Sequence, residues 1–348
     1  MSFRTIKYLF LIIAVIAAIA IFSYYSDIST PANSSGQSQR FTVASGEGVK
    51  RISQSLYKAG LIKSEFHFQL YVSFSKSGAN MQAGVYELSP QMTIKEIVAA
   101  LVAGKVVNEE KVIKIIPGWS LRDIAKYVQV QGVASTSDFL AQTGQPLQKY
   151  PNGQLPDYLT KFSVLADKPS NANLEGYLFP DTYRIYNDAT SADVIAKMVG
   201  NLDAKLSSAM RGDIVKEGWS IYQIITLASI IEKEVRKPED MKTVSGIFWN
   251  RLKIGQTLGS DATLSYIYGD TQAAHTLEDI KNGSPYNTYR FAGLPPGPIC
   301  NPSLDAIMAA IYPAKTDYYY FLTDPATGNT IFSKTLDEHN RNKQKYLK

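Results

Sequence analysis

The chain has 348 residues, of which 45% are hydrophobic and 19% charged, and its 36 Lys and Arg against 31 Asp and Glu leave a net charge of +5. That length suggests about two folded units plus accessory segments, and the apolar content supplies a sizeable core and excludes general disorder. The mild positive charge is spread along the chain rather than gathered into a basic stripe, which argues against a nucleic-acid partner.

At the N-terminus, Arg4 and Lys7 precede an apolar run from Tyr8 to Phe22, extended by Ser23, Tyr24 and Tyr25. A helix needs about 20 mostly apolar residues to cross the hydrocarbon core of a bilayer. The run reaches that length. Its leading basic residues place the N-terminus in the cytoplasm, and its trailing tyrosines suit the far interface. A cleaved signal peptide is the rival reading, but the long apolar core and the lack of a clean A-x-A site favour a retained anchor. Either way, the rest of the chain works outside the cytoplasm. The pattern predicts a cytoplasmic segment at 1–7, a transmembrane helix at 8–25 and a flexible linker at 26–40, where Ser, Pro, Asn, Gly and Gln dominate.

A weak internal repeat follows. The segment Gly46 to Leu61 aligns with Gly118 to Val133, each reading as strand, glycine turn, amphipathic helix and glycine cap, then a second helix near Glu65 or Ser137. Ile52 and Leu56, like Ile124 and Val128, sit one helical turn apart, as a half-buried helix requires. Two copies are too few for a solenoid. The first copy, with the segments at Ala83 and Met92, makes a small α+β module at 41–108 that resembles the LysM-like subdomain found beside envelope enzymes. Such modules bind N-acetylglucosamine polymers; a structural spacer is the alternative reading. The remaining 109–348 form a larger mixed α/β domain, so the fold class expected is α+β.

Within it, 145–173 is rich in Gly, Pro and Asn, and helices are expected near Ser191–Leu206, Ser220–Lys237 and Val244–Lys253. Asn301-Pro302 should open a helix through Tyr312, and Tyr318 to Leu322 with Thr330 to Ser333 should form a hairpin. In the second of these helices, Ile221, Ile224, Ile225, Ala228, Ile231 and Val235 form one apolar arc, and Leu227 and Ile230 lie outside it. Most of that helix is therefore buried, yet it carries Glu232 and Glu234. Two readings account for them. One is an ion pair with Lys233, Arg236 or Arg251. The other is a general acid whose pKa burial raises. Residues two apart on a helix do not face each other, so the two glutamates cannot flank one bond as paired glycosidase carboxylates do. A single working glutamate fits better, and helical phase does not say which.

Other chemistries lack support. Cys300 is the one cysteine, and His67, His275 and His339 lack metal-site spacing, so no metal or cofactor is expected. No glycine-rich phosphate loop is present.

Six segments follow in order: LEGYLFPDTY (174–183), ASIIEKE (228–234), SGIFWNRL (245–252), LGSDATLSYIYG (258–269), SPYNTY to GLPPGPICNPS (284–303) and YPAK (312–315). Together they resemble the membrane-anchored endolytic murein (peptidoglycan) transglycosylases of the MltG or YceG-like family, over essentially the whole chain. The resemblance implies that Glu234 is the catalytic acid and Glu232 a supporting neighbour. It places Asp261, Tyr286, Asn287, Tyr289, Glu175 and Asp181 along the substrate cleft. Gly259 and Tyr312 depart from the family pattern, where a polar residue and a histidine are usual. Tyr268, Tyr286 and Tyr289 are candidates to stack on sugar faces, with core packing as the alternative for each.

The implied chemistry is cleavage between N-acetylmuramic acid and N-acetylglucosamine, with the sugar's own 6-hydroxyl as nucleophile and a 1,6-anhydro end as product. Two alternatives stand beside it: a muramidase that uses water, and a non-enzymatic glycan-binding scaffold. The implied surroundings are the inner membrane, glycan strands and neighbouring peptidoglycan synthases.

Overall fold

The computed structural model describes residues 3–104, 110–148, 155–270, 272 and 275–347, with side chains from Leu11 onward. The side chains of Arg4 and Lys7, part of the Gly/Pro/Asn-rich stretch and the boundary near 108 therefore lie outside what is described. The chain divides into two compact units, Met1–Glu109 and Glu110–Lys348. It is a mixed helix-and-sheet protein whose described strands form three separate two-stranded antiparallel sheets.

In the N-terminal unit, helix α1 (Phe3–Ser29) leads into strand β1 (Gln39–Val43), helices α2 (Val49–Lys58) and α3 (Glu65–Phe74), strand β2 (Gly84–Leu88) and helix α4 (Ile94–Ala103). Strands β1 and β2 pair with Phe41 opposite Tyr86. Alternation turns Phe41, Val43, Tyr86 and Leu88 onto a core completed by Ile52, Leu56, Phe68 and Ile97. Helix α1 is apolar over Leu11–Ser29, with mean hydropathy 2.1 and almost no burial. Its C-terminal end runs to Ser29, and from there to β1 the chain is tied back by the Asn33 amide on the Pro90 carbonyl (2.9 Å).

The C-terminal unit begins with strand β3 (Glu110–Lys114), helices α5 (Leu121–Val130) and α6 (Thr136–Thr143), and strand β4 (Thr182–Tyr186), which pairs with β3. The second repeat copy thus takes the form its pattern predicts, with Ser120 and Ser135 capping the two helices. Helices α7 (Ser191–Lys205), α8 (Ser208–Lys216), α9 (Ile221–Glu234), α10 (Pro238–Lys253), α11 (Asp261–Tyr268) and α12 (Leu304–Ile311) follow. The hairpin β5 (Tyr320–Thr323) and β6 (Thr330–Ser333) and helix α13 (Leu336–Tyr346) complete the unit.

Two helix boundaries differ from expectation. Helix α9, expected to run to Lys237, ends at Glu234, where Val235 turns extended (φ −142°), and Pro238 is the first residue of α10. A fixed φ and a missing N–H suit proline to that first position. Pro302 lies two residues ahead of the helix it was expected to open: Ser303 is the N-cap of α12, its hydroxyl accepting from the Ala306 amide.

Helices α9 and α12 form the centre of the unit. Ile224, Ile225, Leu227, Ala228, Ile230 and Ile231 of α9 are all buried. Gly246 of α10 lets the Ala314 carbonyl approach so closely that a Cβ there would sit 2.2 Å from its oxygen. The segment containing YPAK is thereby laid directly on α10.

Candidate active site

Glu234 is the last residue of α9, and three surrounding segments converge on it. Its Oε1 accepts a hydrogen bond from the buried Ser260 hydroxyl just ahead of α11. Burial pushes its pKa up to about 7 against that hydrogen bond, with Asp261 raising it and Arg251 lowering it. A carboxylate at a helix C-terminus also faces the negative end of the helix dipole, which favours the protonated form. The side chain is partly open to solvent. It is thus a carboxyl group able to give and take a proton near neutrality.

Glu232 is committed elsewhere. Its Oε2 accepts from the Ser303 amide at 2.9 Å and from the Ser303 hydroxyl, which anchors the N-terminus of α12 on α9. Burial raises its pKa, opposed by these two bonds. Among the described residues neither glutamate forms an ion pair with Lys233, Arg236 or Arg251. The ion-pair explanation of the two acids therefore fails. Arg251 instead spends its guanidinium on the carbonyls of Tyr319 (2.8 Å) and Leu258, with its charge 5.4 Å from the Tyr320 ring centre.

The GSD and NTY segments zip together behind Glu234. The Gly259 amide donates to the Thr288 carbonyl (2.9 Å) and the Ser260 amide to the Thr288 hydroxyl (3.0 Å). The Tyr289 hydroxyl donates to Asp261 Oδ1 at 3.0 Å. Gly259 has φ +59°, a left-handed conformation that glycine adopts without strain, so its departure from the family pattern serves the turn. Asp261 comes close enough to raise the Glu234 pKa, so a second carboxylate does share the neighbourhood. It belongs to α11, not to the E-K-E run.

The other expected site residues divide. Tyr286 is half-buried, 5.3 Å from the Tyr266 ring, and burial raises its pKa. Asn287 is fully buried: its amide donates to the carbonyls of Ile280 and Asn282, and its oxygen accepts from the Tyr289 amide. It shapes the loop and has no free group for a ligand. Tyr268 is exposed and its hydroxyl accepts from Asn282 at 3.0 Å.

Glu175 is fully buried under the start of α5, accepting from the Leu121 amide (2.9 Å) and Asn301 Nδ2 (3.2 Å). A place in the cleft is therefore wrong for it. Asp181 holds Asn201 (3.0 Å) and the Thr182 amide beside β4, where the Asn201 bond leads in lowering its pKa.

Ser260, Tyr320 and His339 were not anticipated. The His339 ring stacks on Tyr320 at 5.4 Å, and its buried Nδ1 has no partner among the described residues. Burial lowers its pKa, and the Lys343 and Arg251 charges lower it further. Only the adjacency of Ser260 to Asp261 in the GSD string hinted at any of them. A separate polar cleft of about 510 Å³, lined by Trp249, Asn250, Lys253, Lys315 and Tyr318, lies along α10 and excludes Glu234. Among the described residues no group of three His, Cys, Asp or Glu is placed to hold a metal ion.

The sequence profile of the YceG-like family matches residues 41–345. The chain belongs to that family. A Bacillus subtilis (strain 168) protein named endolytic murein transglycosylase is 35% identical over 314 residues, covering 88% of this chain and 84% of that protein. A Streptococcus pneumoniae (strain D39) protein of the same name is 32% identical over 320 residues; the match covers 86% of this chain and 57% of that longer protein. The crystal structure of a YceG-like protein from Listeria monocytogenes superposes with a TM-score of 0.56 at 33% identity, covering 88% of this chain and 99% of that one.

Proposed function

We propose that this YceG-like chain is an endolytic lytic transglycosylase of peptidoglycan, with Glu234 as its acid and base. The observation that carries the reading is the division of labour between the two glutamates. Glu232 is spent on α12, whereas Glu234 is a half-buried carboxyl with a pKa of about 7 and one hydroxyl upon it.

In the proposed reaction, protonated Glu234 gives its proton to the oxygen leaving N-acetylmuramic acid, and the C1–O bond breaks with oxocarbenium character at C1. The resulting carboxylate removes the proton of the same sugar's 6-hydroxyl as that oxygen bonds to C1. The proton returns to Glu234 and a 1,6-anhydro end is left. Ser260 and Arg251 favour the carboxylate in the second half, and Asp261 with Tyr289 lines the approach.

A water-using muramidase is the second reading, favoured by the proximity of Asp261, a carboxylate that could activate water. In both, α1 is a single-pass anchor with its N-terminus inside, and cutting is confined to glycan near the membrane, where peptidoglycan synthases work. The LysM-like reading of 41–108 fits its strand–helix–helix–strand order. A groove of about 400 Å³ lined by Val49, Lys50, Gln69, Lys76 and Gly78 would take the sugar strand.

Purified full-length protein is expected to shorten long glycan strands from within, seen as early loss of the longest strands in size-resolved chromatography. Binding without any shortening would support the scaffold reading instead. The Ser260→Ala variant tests the hydroxyl. Its hydrogen bond lowers the Glu234 pKa, so removing it should move the alkaline fall of activity upward by about half to one pH unit. An unmoved or acid-shifted limb in the pH–rate profile would contradict this assignment.

A further inference from the structure

We infer that helix α3 is a second membrane contact, its aromatic edge lying in the headgroup layer beside the point where α1 leaves the bilayer. The inference rests on the reading of α1 as a membrane span.

The segment expected to swing freely after the anchor does not begin where α1 leaves the apolar run. The last turns of α1 instead dock on the N-terminal unit. Ile28 is 3% exposed and joins the core of Phe68, Val72 and Ile94. Asp27 Oδ2 lies 2.6 Å from His67 Nδ1, Lys63 Nζ donates to Thr30 Oγ1 at 3.2 Å, and Lys95 Nζ donates to Ser29 Oγ at 3.0 Å. The direction of α1 therefore sets the depth of α3.

Helix α1 has 27 residues; at 1.5 Å per residue that is about 40 Å, against about 30 Å of hydrocarbon. The excess is shared between the two ends, and since Asp27 and Ile28 are held by the N-terminal unit, Tyr24 and Tyr25 come to the interface, where such rings are favoured. The contacts from α1 to α3 run in opposite directions: Thr30 to Lys63, Asp27 to His67, Tyr24 to Phe74. The Phe74 ring meets Tyr24 edge-on at 6.3 Å and so shares its depth. Phe66, beside His67, lies somewhat farther out.

Phe74 is 71% and Phe66 67% exposed, on the unit that also leaves the apolar face of α1 bare. Aromatic rings edged by the lysines at the helix exit match the composition of a lipid interface. A bilayer already around α1 covers them without a further partner.

Tryptophan placement in the full-length chain tests this. The protein is reconstituted into phosphatidylcholine vesicles brominated at a shallow or a deep acyl position. Emission is compared with the native background of Trp119, Trp219 and Trp249. Ile16→Trp should be quenched most by deep bromines. Phe74→Trp should be blue-shifted and quenched most by shallow bromines, Phe66→Trp less so. Tyr57→Trp, at the end of α2 that leads toward Lys63, should not be quenched. If Ile16→Trp is quenched and Phe74→Trp is not, the inference falls while the anchor stands. A blue shift at Phe74→Trp without quenching means protein contact, such as a second copy, and also overturns it. If Ile16→Trp escapes quenching, the anchor reading fails and takes this inference with it.

Discussion

Replacing Glu234 by glutamine is expected to slow glycan cutting by roughly 10³-fold, within the range a positioned general acid supplies. Glutamine keeps the size of the side chain and accepts from the Ser260 hydroxyl, but it has no proton to give. Glycan binding should be unchanged. Stability should not fall, because a carboxyl lifted to about 7 is one whose ionised form the fold disfavours. Glu232→Ala should show the opposite pattern. It orphans the Ser303 amide at the start of α12, at a cost of about 1–3 kcal/mol, while each folded molecule keeps its rate to within a few-fold. Rates measured beside thermal unfolding on both variants separate the roles. A Glu232 variant as dead as the Glu234 variant, yet equally well folded, would reverse the assignment.

The second large effect concerns stability and pH. Glu175 titrates near 8 in the folded chain because burial outweighs its bond to the Leu121 amide, against an ordinary value of 4.5. When unfolded, the carboxyl loses its proton near that ordinary value; when folded, it holds the proton until about pH 8. The unfolded state thus binds fewer protons through this window, and stability falls as pH rises. The contribution is fully present below about pH 4.5 and gone by about 8. At about 1.4 kcal/mol per unit, that is on the order of 5 kcal/mol.

Glu175→Gln keeps an acceptor for Leu121 and Asn301 but cannot ionise, so its stability should depend less on pH. Denaturant unfolding followed by tryptophan emission is the measurement, since Trp119, Trp219 and Trp249 all report the C-terminal unit. Parallel pH dependences for the two proteins would contradict the burial of a neutral acid there.

What could be read ahead of the structure followed from periodicity and caps. The apolar arc of α9, its start at Ser220, and the hairpin at Tyr320 and Thr330 are local signals that packing did not override. Helix α13 escaped because it buries no residue and thus has no apolar stripe to reveal it. Helix α11 is a short run with apolar residues on several faces, set among loop-like glycines. Pro238 begins α10 because its locked φ suits a first helical position, whereas Pro302 lies outside α12 because Ser303 takes the capping role.

For the site, the E-K-E run exposed two acids, but their roles depend on partners 26 and 71 residues away, Ser260 and Ser303. No spacing rule reveals such partners. Glu175 and Asn287 belong to motifs that the resemblance places along the cleft, and motif membership does not distinguish a residue that touches a ligand from one that holds a loop in place.

The central claim is that one glutamate serves as acid and then base, with the sugar's own hydroxyl as nucleophile. Mass spectrometry of strand ends after digestion of purified peptidoglycan tests it most directly. The account predicts 1,6-anhydro-N-acetylmuramic ends, lighter by one water than reducing ends and absent with Glu234→Gln. Reducing N-acetylmuramic ends from the wild-type chain would contradict it and turn attention to Asp261 as a base for water.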